Sequence, residues 1–76
     1  MTREDLLEYE VLECEHLVAY HKALHIRAMM RLDLHRLEHS AIPRNRLAAR
    51  ILYARIARLK RLIAETDARI AKIEGA

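Results

Sequence analysis

ARILYARIARLKRLIAETDARIAKI, residues 49–73, is the stretch whose pattern decides the fold. Ala49, Leu52, Ile56, Leu59, Ile63, Thr66, Ile70 and Ile73 alternate spacings of three and four, and every one but Thr66 is apolar. An α-helix turns once in about 3.6 residues, so this alternation draws one apolar stripe along one side of a helix. Helix 2 is predicted from about Arg44 to Glu74, with Gly75 as its stop and Lys72 complementing the negative helix end. Pro43 disfavours helical backbone at Ile42 and suits a first helical turn, which makes residues 40–43 a turn.

Upstream of the turn, apolar residues recur at helical spacing as far as about His39, and no Gly or Pro interrupts them. Thr2 and Asp5 form a capping-box start, with acidic Glu4 and Asp5 in the first turn, so helix 1 is predicted over about 3–39. Helix 1 differs from helix 2 in having two apolar rows. The first is Leu7, Val11, Cys14, Val18, His21, His25, Ala28, Leu32, His35 and His39. The second, roughly 160° around the helix, is Leu12, His16, Ala19, Ala23, Ile26, Met30, Asp33 and Leu37. Two long helices joined by a short turn pack antiparallel, so the fold class is all-α, a two-helix antiparallel hairpin in a single domain.

A chain of 76 residues has little core to stabilise it, and its one cysteine cannot form an internal disulfide. Oligomerisation is the remaining device. One helix 2 covers only one side of helix 1, so the hairpin is expected to form a homodimer, a four-helix bundle of the short-loop kind that the plasmid-copy-control protein Rop exemplifies. The stretch Ile56-Ala57-Arg58-Leu59-Lys60-Arg61, together with Ile70, resembles the second helix of small bacterial YdcH-type hairpin proteins. That resemblance is confined to this stretch and implies no function.

The acidic beginning does not read as a secretory leader, and charges interrupt every window before a membrane span could form. With its lone thiol the protein is expected in a cytoplasm, and its Arg-over-Lys, Ala-rich usage points to a bacterial or phage source. No Gly-rich, Ser-based or metalloenzyme motif is present, and no cofactor is expected, so the chain reads as a non-enzyme.

The i, i+4 pairs His21/His25 and His35/His39 have the spacing by which one helix face offers two imidazoles to a metal. Two copies of helix 1 crossing near residue 30 would set the pairs opposite one another. The plainer reading is neutral histidines that hydrogen-bond across a seam and fix its register. Glu13 and His16 make a single Glu-x-x-His, the spacing used twice in di-iron bundles, and are read here as part of a solvated face. Cys14 within the first row reads as a small apolar side chain.

Charge is divided along the chain. The first sixteen residues carry six acids and one Arg, whereas from Pro43 onward there are nine basic residues and three acids. Arg46, Arg50, Arg58, Arg61, Arg69 and Lys72 share the side of helix 2 opposite its stripe and could track phosphates, as RNA- or DNA-binding bundles do. In a hairpin of aligned ends, the acidic start of helix 1 would lie beside the end of helix 2 and neutralise part of that face. The leading expectation is a small regulatory or adaptor protein that binds a protein partner through Leu12, Ala19, Ala23, Ile26, Met30 and Leu37. Nucleic-acid binding by the basic face is the alternative, and metal binding by the histidines is third.

Overall fold

The computed structural model describes residues 2–40 and 42–75. It contains two helices packed against each other, α1 (Arg3–Glu38) and α2 (Arg46–Glu74). Ala41, part of the expected turn, lies outside the described residues. The start of α1 is the expected capping box. The Asp5 amide donates to Thr2 Oγ1 at 3.2 Å, and the Thr2 amide donates to Asp5 Oδ2 at 3.1 Å.

The start of α2 lies two residues beyond the sequence expectation. Asn45, in extended backbone, is the N-cap, and its side-chain oxygen accepts from the Ala48 amide at 2.8 Å. A capping amide satisfies an orphan helix donor, which Pro43 cannot do, so the cap residue sets the boundary. At the C-terminal end of α1, the His39 amide donates to the His35 carbonyl at 3.1 Å, and the Ser40 hydroxyl donates to that of Leu37 at 2.8 Å.

From Ile56 onward the stripe of α2 faces α1 as its spacing requires. Thr66 and Ile70 are buried, and Ala49, Leu52, Ile56, Leu59, Ile63 and Ile73 are half-buried. Thr66 keeps its hydroxyl satisfied by donating to the Leu62 carbonyl one turn back, at 2.9 Å, which allows a polar side chain inside the seam. On α1 the covered line is Tyr20, Ala23, Leu24, Arg27, Met30, Leu34 and Leu37, of which Ala23 alone is fully buried. This line runs beside the second apolar row and takes three members from it.

The helices are staggered, which corrects the expectation of aligned ends. Tyr20 is level with Glu74, its hydroxyl donating to the Glu74 carboxylate at 2.6 Å, so α2 ends where only half of α1 has been covered. Residues 3–19 of α1 therefore project as an arm of about 25 Å at 1.5 Å per residue. At the other end, the molecule is 67 Å long whereas α1 accounts for about 54 Å, so about nine residues at the start of α2 project beyond α1. Ion pairs from Arg27 Nη1 (3.1 Å) and Arg31 Nη2 (3.6 Å) to Asp67 Oδ1 hold the stagger. Among the described residues, no helix is long and apolar enough to cross a membrane.

Candidate functional site

The α1 arm is apolar on several sides and covered on none. Leu6, Leu7, Val11, Leu12, Leu17 and Val18 are each more than half exposed, and Val18 reaches 66%. Leu7, Val11, Cys14, Val18 and Ala19 line an open apolar groove edged by Glu10, Glu15 and Lys22. Water-exposed apolar side chains in such continuity mark a surface that another molecule covers.

The expected protein-docking row is divided by the fold. Ala23 is buried and Met30 and Leu37 are half-buried against α2, so these three belong to the hairpin itself. Leu12 (62%), Ile26 (41%) and Ala19 remain exposed and available. The first row, including His21, His25, His35 and His39, is exposed throughout and faces away from α2.

The histidine pairs do not gather into a metal centre within one chain. The His35 and His39 rings lie against each other, centroids 4.2 Å apart and tilted by 32°, and His39 Nδ1 is 2.8 Å from the His35 carbonyl. That contact requires the Nδ1–H tautomer to donate and engages the ring in capping its own helix. The His21 ring instead packs edge-on to Tyr20 at 5.6 Å. Among the described residues, no three His, Cys, Asp or Glu side chains converge as a metal set. Asp67 stands beside Arg27 and Arg31, far along the rod from Glu13 and His16, so it cannot complete the Glu-x-x-His motif within the chain.

Arg46, Arg50, Arg58, Arg61, Arg69 and Lys72 are all exposed, and among the described residues none of them forms an ion pair. The stagger explains this, because the acidic start of α1 extends past the end of α2 and neutralises none of its basic face. Of the residues that set the stagger, Asp67 and Glu74 read in the sequence only as helix 2 carboxylates, Asp67 with Glu65 near the Glu13 level, whereas Tyr20, Arg27 and Arg31 have no role there. Their only signal there is the i, i+4 spacing of Arg27 and Arg31 on a helix otherwise read by its apolar rows. The hydrogen bond donated to Glu74 holds the Tyr20 proton on above the ordinary value of 10.0, with desolvation and the carboxylate charge adding and Arg27 opposing.

No protein-family model matches the chain, and neither does any curated protein or solved structure.

Proposed function

We propose that this is a small non-enzymatic regulatory or adaptor protein of a reducing cytoplasm, which acts as a dimeric helical bundle and binds another protein. The observation that supports this reading is the set of large apolar side chains between Leu6 and Val18 on α1 that α2 leaves exposed. Two surfaces need covering, and one dimer contact accounts for only part of them. The first row is assigned to the second copy, and Leu12, Ala19 and Ile26 are assigned to the protein partner.

Capture from native lysate with paired baits tests the reading. The wild-type chain should retain a defined protein through moderate salt, and Leu12→Glu with Ile26→Glu should lose it while remaining helical. Capture that is indifferent to those two substitutions overturns the assignment.

A second reading has its own support in the unpaired basic side of α2. As a nucleic-acid binder, the protein would lose affinity steeply with salt, and Arg46→Glu, Arg50→Glu and Arg61→Glu together would abolish binding across sequences. Submicromolar, structure-selective binding near physiological salt, abolished by that triple change, would place this reading first.

A further inference from the structure

We propose that the two projecting arms are docking sites for each other, in a dimer of two antiparallel copies that are flush at both ends. Each copy then lays its acidic α1 arm along the basic start of the other's α2. The proposal deepens the dimeric half of the function proposed above and rests on it.

Three features of the single chain fit this occupant. The first is length. An arm of about 25 Å covers about seventeen residues of a partner helix, which when the rod ends coincide is the span 46–62: the roughly nine projecting residues of α2 and the two turns after them, whose Ile56 and Leu59 already face α1. A two-fold axis across the rod fills both ends at once, and the dimer is no longer than the 67 Å of one copy.

The second feature is charge. Residues 3–19 carry six acids and one Arg, and residues 46–62 carry Arg46, Arg50, Arg55, Arg58, Lys60 and Arg61 with no acid. Among the described residues no member of either set forms an ion pair within its own chain, and the α1 arm and the projecting start of α2 lie at opposite ends of the rod. The first turn of α2 also has no acidic residue of its own, and the flush alignment brings Glu4 and Asp5 of the second copy level with it.

The third feature is the apolar pattern between the charges. On α1, Leu7, Val11 and Cys14 step by four and three, with Glu10 and Glu15 at the edges. On α2, Leu47, Ile51 and Ala54 repeat that step outside the buried stripe, flanked by Arg50 and Arg55. All three are exposed, Leu47 at 68%. A nucleic acid would satisfy only the basic arm and a basic peptide only the acidic one, whereas a second copy satisfies both with one repeated contact.

A charge swap tests the pairing. One variant carries Glu8→Lys, Glu10→Lys and Glu15→Lys, and the other carries Arg50→Glu, Arg55→Glu and Arg58→Glu, the basic residues level with those three acids in the flush register. All six positions are exposed in the single chain, so circular dichroism should report unchanged helix. Each variant alone sets like charge against like at both arms and should dimerise at least about tenfold more weakly than wild type. An equimolar mixture sets opposite charges together at both arms and should recover wild-type affinity, read by light scattering or sedimentation. Recovery on mixing also shows that neither variant had merely misfolded. Variants that dimerise alone as well as wild type, or that fail to associate when mixed, overturn the arm pairing and leave a dimer of another geometry. A wild-type chain that stays monomeric at millimolar concentration overturns the arm pairing and the dimeric reading together.

Discussion

α2 gathers its buried and half-buried large apolar residues in one stripe, and α1 covers that stripe from Ile56 to Ile73, leaving the start of α2 to project beyond it. α1 distributes its apolar residues around its circumference, and its neighbour covers a single line of seven, one of them Arg27. The two helices thus meet the same solvent with different numbers of faces to hide. A helix with one stripe is complete with one neighbour, and a helix with two rows needs at least two. The difference locates most of the unfinished surface of the molecule on α1, above all on the arm that has no neighbour in its own chain, and a smaller share on the projecting start of α2.

The sharpest break of this comparison comes from truncating one large apolar residue on each helix. Ile70 is 1% exposed, and Ile70→Ala should cost about 3 kcal/mol, enough to abolish the hairpin in dilute solution. Val18→Ala, at 66% exposure, should change the stability of a single chain by less than about 0.5 kcal/mol and act on association instead. Urea unfolding at two protein concentrations checks both. An Ile70→Ala chain as stable as wild type would remove the contrast.

Next in size are the two caps, where similar chemistry should give different readouts. Asn45→Ala removes the acceptor for the Ala48 amide at the start of α2, which projects beyond α1 but where Pro43, Ala48 and Ala49 are half-buried, and should cost about 1 kcal/mol of global stability. Thr2→Ala removes the equivalent acceptor at the tip of the arm. There the loss should appear as faster amide exchange over the first turns of α1, with the unfolding midpoint barely moved.

Asp67→Ala should cost about 1 kcal/mol or less, since the Arg27, Asp67 and Arg31 side chains are all partly solvated. Its more specific effect is loss of register, because Arg27 and Arg31 then have no partner to hold the stagger. Spin-label distances between the arm tip and the end of α2 would broaden, and an unchanged single distance would show that apolar packing sets the register alone.

The smallest effect is a pH dependence. The folded pKa of Tyr20 is raised, so its hydrogen bond contributes fully below the unfolded value near 10 and is lost as pH rises through the folded one. Wild type should therefore lose stability in that alkaline window relative to Tyr20→Phe, as followed by thermal unfolding at stepped pH. Parallel curves for the two proteins would remove the role given to this contact.

The stripe of α2 was legible residue by residue, and so was the capping box at Thr2, because each is local chemistry with a characteristic spacing. Pro43 and Asn45 are both starting signals, and the α2 boundary falls two residues beyond the one that the proline implies because Asn45 supplies the cap. The stagger was not legible. Sliding one heptad stripe along another by seven residues, about 10.5 Å, leaves apolar facing apolar, so periodicity leaves the register undetermined. Register is settled by side chains that meet once, namely Arg27 with Asp67 and Tyr20 with Glu74. The covered line of α1 was obscured for a related reason. Two rows of similar apolarity competed, and the line used includes an arginine whose value comes from a partner forty residues away.

The two register contacts also order the folding of the chain in time. Arg27 to Asp67 closes a loop of 40 residues and Tyr20 to Glu74 one of 54, so the second costs only about 0.2–0.3 kcal/mol more in closure entropy when formed directly. Once the connector end has closed, each further turn of α1 meets its counterpart on α2 by local zipping rather than by a new search. Opening runs in the reverse order, and Tyr20, at the last contact before the free arm, is the latch whose release begins it.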